Sequence, residues 1–293
     1  MVNALTVLES GSREQQTEWF APDRLELRRI QTDACRDLLA NLIKYEAVHQ
    51  IRTLPELLRR LQRDRRCFGL FHPALPLDPL VFTEVALTDD VRESVQPILD
   101  PDSAVSNPAH ARCAVFYSIS NCQPALRGLG LGTALLLRAI GELRRELPYL
   151  RTFATLSPIP GFRPWLADEA LRGNVDDVDL ASAALDPHWP RNAGSTNYLK
   201  SKLLAACARY LVDARRGRDA ADPVARFHLG NGARLERLNW LGDVSEAGLR
   251  RSAGMTVNYS YSLADLSRNQ EAYSQRGVID ASTEVRQLAY ATA

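Results

Sequence analysis

The sequence predicts a mixed α/β fold, a mixed sheet flanked by helices with a short helical extension at the N-terminal end. Three observations carry that expectation. First, a strand-like run over 114–120 is followed by the turn Arg127-Gly128-Leu129-Gly130-Leu131-Gly132. Leu131, Leu135, Ile140, Leu143 and Leu147 then recur at helical spacing. Second, that helix leads into another strand-like run over 150–156, and a strand, a crossover helix and a parallel strand make a right-handed βαβ unit. Third, 293 residues of ordinary globular composition are enough to bury a full core.

Residues 1–22 are polar and are expected to be loosely packed. Over 25–66 the pattern is helical: Leu38, Leu39, Leu42 and Ile43 form one stripe and Leu57, Leu58 and Leu61 a second, opened by Pro55 in its first turn. Residues 1–66 thus read as a polar tail with a short helical extension, and 67–293 as the α/β domain. Strands are expected over 67–71 and 80–88, then a loop with a short helix at 91–99, then the strand over 112–120 and the helix over 131–147. The strand over 150–156 stops at Ser157-Pro158-Ile159-Pro160-Gly161, where two prolines prevent continuation. Residues 168–196 read as an irregular excursion. Helices are expected over 199–212 and 223–229, the second ending at Asn231-Gly232, and strands over 234–240 and 255–263.

Composition excludes several classes. Thirty-six basic against 35 acidic residues leave a net charge of +1, so no nucleic-acid footprint is expected. The arginine pairs Arg59-Arg60, Arg65-Arg66, Arg144-Arg145 and Arg215-Arg216 read as solvated helix faces or ends. No apolar stretch approaches the ~20 residues that span a bilayer, and residues 1–14 lack the pattern of a signal peptide. Cys35, Cys67, Cys113, Cys122 and Cys207 are odd in number and form no CxxC pair, which predicts reduced thiols in a cytoplasmic protein. Cys122 reads as a packing residue rather than a nucleophile, and His49 and His72 as structural. The histidines show no metal-ligand spacing, so no metal is expected.

A strand, a glycine turn and a helix aim unpaired N–H groups at the helix N-terminus, where an anion is favoured. Alone, such a turn is as often a tight turn before a buried helix. The Arg-x-x-Gly-x-Gly spacing of residues 127–132 resembles the acyl-coenzyme A pyrophosphate loop of the GNAT superfamily. GNAT enzymes also carry a helix with a tyrosine four residues before its closing glycine; here that position is His228, ahead of Gly232.

Further blocks sharpen the resemblance. Tyr45-Glu46-Ala47-Val48-His49, the run 80–88, Phe116-Tyr117-Ser118-Ile119-Ser120, Thr155-Leu156-Ser157-Pro158-Ile159-Pro160-Gly161-Phe162, Phe227-His228-Leu229-Gly230-Asn231-Gly232-Ala233 and Asn258-Tyr259-Ser260-Tyr261 occur in the order found in malonyl-CoA decarboxylases. The chain resembles that family over about 25–288, with only the last portion of its N-terminal helical bundle, so the family's oligomeric state is not carried over.

The resemblance implies a GNAT-like catalytic domain over 67–293 and a lyase of fatty acid metabolism yielding acetyl-CoA and CO2. It implies Ser157 and His228 as the catalytic pair, with Tyr261 at the same site. Arg127, Gly128, Leu129, Gly130, Leu131 and Gly132 would meet the pyrophosphate, and Ser118, Ile119 and Ser120 the pantetheine arm. No cofactor beyond the coenzyme A of the substrate is implied. Read alone, Ser157 is a turn residue, His228 a satisfied core histidine and Tyr261 a core tyrosine; the resemblance reverses this for the first two and in part for the third. Two other classes stay open: an acyltransferase, or bifunctional decarboxylase/acyltransferase, serving an amine or acyl carrier protein, and a non-catalytic acyl-CoA sensor.

Overall fold

Short runs buried along nearly their whole length build the central strands, and the stripes at helical spacing cover them. The computed structural model describes residues 4–173, 180 and 193–290. Its contacts divide the chain into two units, 1–91 with 97–153, and 92–96 with 154–293.

The first unit opens with two short helices, α1 (Ala4–Ser10) and α2 (Arg13–Trp19), where loose packing was expected. Two local facts order them. Ser12 and Gln15 form a reciprocal capping box, and Ala4, Val7, Leu8 and Phe20 are buried. Next come β1 (Glu26–Ile30), α3 (Arg36–Tyr45), α4 (Leu54–Arg60), β2 (Arg65–Phe71), β3 (Val81–Thr88), β4 (Cys113–Asn121) and α5 (Leu131–Glu146). β1 lies inside the stretch that reads as helical. Its spacing is ambiguous, and pairing with β2 (Glu26↔Phe71 to Ile30↔Cys67) decides it.

Strands β1 to β4 pair antiparallel in sequence order. Helices α3 and α4 close on one face through Leu38, Leu42, Leu57 and Leu61 against Cys67, Phe71 and Phe82. Helix α5 buries Leu131, Leu135, Leu136, Ala139, Ile140 and Leu143. The next strand, β5 (Thr152–Thr155), starts beside β4: the N–H groups of Arg151 and Thr152 donate to the Arg112 carbonyl, as the crossover requires.

The arginine pairs at 59–60 and 65–66 are buried, not solvated, because each side chain finds a carboxylate to hold. Arg59 grips Asp64 with two bonds (2.8 and 3.0 Å), Arg65 shares Asp64 (3.0 Å), Arg60 meets Glu84 (2.8 Å) and Arg66 meets Glu146 (2.6 Å).

The second unit is built on β10 (Thr256–Ser260). It pairs antiparallel with β9 (Arg234–Asn239), with the two-residue β6 (Ser157–Pro158) and, through Ser260↔Ala154, with the end of β5. Between them in sequence lie α6 (Phe162–Leu171), α7 (Ala193–Asp213), the ribbon β7–β8 (Arg215–Arg216, Asp219–Ala220) and α8 (Pro223–Gly230). α9 (Glu246–Ser252) precedes β10, and α10 (Leu266–Arg276) and α11 (Thr283–Tyr290) follow it. Part of the excursion expected over 168–196 falls outside the described residues, although α6 reaches into its start. Among the described residues no helix is long and apolar enough to cross a membrane.

Candidate active site

Period two places Thr155 and Ser157 on one side of the chain as it leaves β5, and both side chains are buried. Pro160 forbids further pairing, so Ser157 sits where the strand ends. α8 carries His228 in its last turn, closed by Asn231 and Gly232, whose N–H groups cap the carbonyls of His228 and Leu229. β10 delivers Tyr259, and Tyr261 follows one residue beyond its end.

These side chains form one hydrogen-bonded chain. Ser157 Oγ donates to Thr155 Oγ1 (2.9 Å) and lies 3.2 Å from His228 Nε2. His228 Nδ1 lies 2.7 Å from Tyr261 Oη. The Ser157 proton is committed to Thr155, so the serine oxygen accepts from Nε2–H. Nδ1 is then the ring's acceptor, and Tyr261 donates to it. Thr155 Oγ1 is itself fixed by the Tyr259 main-chain N–H (3.2 Å), a donor that cannot reverse. With those directions the network is satisfied by the His228 proton on Nε2.

Two effects compete for the charge of that ring. A helix C-terminus favours a cationic histidine by ~0.3–1 kcal/mol, up to ~2 in partly buried geometries. Complete burial opposes it and dominates, pushing the His228 pKa down to about 3. Tyr259 stacks on the imidazole (4.7 Å between centroids, 24°), adding another apolar face. The imidazole is neutral throughout the physiological range. Burial also raises Tyr261 well above the usual phenol value, which keeps it a donor.

Asp222 stands at the other end of α8. Its Oδ1 accepts from the N–H groups of Val224 (2.9 Å) and Ala225 (3.0 Å), and its Oδ2 from that of Gly161 (3.0 Å).

In the first unit, the glycine turn leaves a 3-10 turn at Pro124–Leu126 and enters α5. Gly128 (φ +82°) and Gly130 (φ +74°) are left-handed, and Gly130 is the helix N-cap. Glycine adopts that conformation without strain, and the first N–H groups of an α-helix have no intrahelical acceptor. Arg127 is exposed, Leu131 is buried and Leu129 and Gly132 are half-buried. The Arg13 guanidinium braces the turn from α2, donating to the carbonyls of Arg127 (2.7 Å) and Ala125 (3.3 Å).

On β4, the hydroxyls of Ser118 (2.9 and 2.8 Å) and Ser120 (3.1 Å) donate to the buried Glu46 carboxylate, while Ile119 is half-buried. The two serine side chains are thus engaged inside the protein. Cys122 is buried and its thiol pKa is pushed up by desolvation, in keeping with a packing role.

Sequence reasoning singled out Ser157, His228 and Tyr261, and the structure brings these three together. It missed Thr155, which period two from Ser157 could have found, and Tyr259, which stands in the same block as Tyr261. Asp222 was readable as a helix cap ahead of Pro223. Arg13 left no signal in a segment without apolar periodicity. Among the described residues no cluster of three or more His, Cys, Asp or Glu could hold a metal ion.

A family model described as the malonyl-CoA decarboxylase C-terminal domain matches residues 24–293. The mitochondrial malonyl-CoA decarboxylase of the goose Anser anser anser is 36% identical over 92% of this chain and 58% of its own length. That of the rat is 34% identical over 93% and 60%. The chain thus spans about three-fifths of the curated relatives it matches. The crystal structure of malonyl-CoA decarboxylase from Agrobacterium vitis superposes with a TM-score of 0.89 at 43% identity, over 94% of this chain and 70% of that one. The enzyme from Rhodopseudomonas palustris gives 0.85 at 43%, over 94% and 65%. A GNAT-like decarboxylase in complex with isobutyryl-CoA is 18% identical with a TM-score of 0.50, over 81% of this chain and 99% of that one, a likeness of fold.

Proposed function

This chain belongs to the malonyl-CoA decarboxylase family, and from that premise we propose that it converts malonyl-CoA to acetyl-CoA and CO2. The observation that carries the reading is the chain Tyr261–His228–Ser157, built on a histidine held neutral. Decarboxylation leaves the electron pair of the broken C–C bond on the thioester as an enolate. The protein must stabilise its oxygen and see the α-carbon protonated. A neutral imidazole and a hydroxyl meet both needs without placing a fixed cation beside the substrate carboxylate, where it would hold the ground state back.

With substrate bound, the Ser157 hydroxyl leaves Thr155 and His228 Nε2–H leaves Ser157, and the two become the donors for the enolate oxygen. A preorganised donor of this kind contributes about 3–4 kcal/mol to the transition state. Serine and imidazole each donate and accept, so a proton passed to the α-carbon is replaced along the same chain, with one proton taken from solvent per turnover. Tyr261 keeps Nδ1 an acceptor and so keeps the active proton on Nε2. The N–H groups at the start of α5, with Arg127, are assigned to the coenzyme A pyrophosphate, and the β4 main chain at Ser118, Ile119 and Ser120 to the pantetheine amides. Five cysteines, four of them buried, support a cytoplasmic setting.

The test is purified protein with malonyl-CoA and no acceptor, following acetyl-CoA. Turnover is expected, and Ser157→Ala or His228→Ala should lower kcat by roughly 10²–10³-fold. Acetyl-CoA formation that demands an amine or a carrier protein would replace this reading with the acyltransferase. Binding without any turnover would leave the sensor.

A further inference from the structure

Ser157 and His228 lie 71 residues apart in sequence, yet both are a short, stiff segment away from the same carboxylate. From Ser157 the chain runs through Pro158, Ile159 and Pro160 to Gly161. Two proline rings fix φ along it, and the Ile159 N–H between them donates to Ser252 Oγ (2.9 Å). The Gly161 N–H then ends on Asp222 Oδ2 (3.0 Å). From Asp222 the chain enters α8 at once, with Oδ1 taking the N–H groups of Val224 and Ala225, and His228 lies in the last turn of that one short helix. The buried Tyr210 stands beside the same turn at Gly161, and burial and the Asp222 carboxylate hold its phenol above the ordinary value. Asp222 is itself nearly inaccessible (1%), so solvent cannot substitute for any of these bonds.

We propose that Asp222 is a positioning residue for the reaction: its two oxygens clamp the start of the His228 helix to the turn after Ser157 and thereby set the Ser157–His228 hydrogen bond. A carboxylate is needed because each oxygen serves a different element. An amide has one acceptor oxygen and can hold the helix end or Gly161, but not both. Serine at this position caps the helix and cannot reach Gly161.

The inference rests on the reading of Ser157 and His228 as the reacting pair, and the experiment separates the two. The full chain is compared with Asp222→Asn and Asp222→Ser by steady-state kinetics with malonyl-CoA, by thermal unfolding, and by ¹⁵N NMR of the protein labelled at its histidines. Both variants should lose roughly 10- to 100-fold in kcat with KM little changed, as small misplacements of reacting groups do. Their folded fraction at the assay temperature should equal that of the parent. The His228 nitrogens should move from a single Nε2–H tautomer toward averaged shifts, and this readout holds whatever reaction the site performs. Parental kcat and an unshifted His228 spectrum in folded Asp222→Asn would overturn the clamp. A parent that turns over no malonyl-CoA, with the spectral change present in the variants, would overturn the assigned reaction and leave the clamp standing.

Discussion

Tyr261 and Thr155 sit at opposite ends of the hydrogen-bonded chain, and each can be removed without changing shape. Tyr261→Phe keeps the ring and deletes the donor to Nδ1, so the imidazole proton no longer has a preferred nitrogen. We expect kcat to fall by roughly 10²-fold with KM nearly unchanged, a split that initial rates at varied malonyl-CoA would read. Thr155→Val deletes the acceptor for Ser157 and orphans the buried Tyr259 N–H, at a cost of about 1–3 kcal/mol in stability; Thr155→Ser should restore both. At this scale legibility depended on distance along the chain. Thr155 is two residues from Ser157, so period two contains it. The partners that bury Arg60 and Arg66, Glu84 and Glu146, lie 24 and 80 residues away, and no local pattern announces them.

Helix α5 offers a pair of glycines whose substitution by alanine should act in opposite directions. At Gly130 an added Cβ meets no atom within 4 Å, but φ is +74°, so the cost is backbone strain of about 1–2 kcal/mol. Straining the turn should also raise KM for malonyl-CoA more than it lowers kcat. Gly141 is in the same helix, equally free of neighbours and with helical dihedrals, and alanine there should stabilise by about 0.4–1 kcal/mol. Denaturant unfolding of the two variants checks the signs. Elements with strong periodicity, such as β3, β4 and α5, were legible to within a residue or two. Others were not, for physical reasons. Leu27 and Ile30 of β1 have helical spacing, and the partner strand overrides it. α10 presents Leu-Ser-Arg-Asn-Gln-Glu-Ala-Tyr with only Asn269 and Tyr273 buried, so it has no stripe to find. The geometry of the site was the least legible part: Ser157 and His228 came from resemblance, and their 3.2 Å contact follows from tertiary packing.

For the molecule as a whole, two buried groups give stability a pH dependence of opposite signs. His228 has its pKa lowered from 6.5 to about 3, so between those values the unfolded chain binds a proton that the folded one does not. Its contribution is complete above pH 6.5 and is lost as pH falls toward 3. Burial and the neighbouring Glu46 push Glu84 from 4.5 up to about 8 against the pull of Arg60, so the folded chain holds the extra proton there. That contribution is complete below pH 4.5 and is lost as pH rises through 8. The two oppose each other between 4.5 and 6.5. Unfolding free energies measured from pH 4 to 9 should show an acid slope reduced in His228→Gln and an alkaline slope reduced in Glu84→Gln. The slope, rather than the level, is the readout. The burial that silences the charge of His228 also fixes the direction from which a proton can come. Ser157, His228 and Tyr261 are locked into one line, so the α-carbon is approached from a single side. Acetyl-CoA made from malonyl-CoA of a single configuration at a carbon bearing two hydrogen isotopes, with the third supplied by solvent, should therefore carry a methyl group of one handedness.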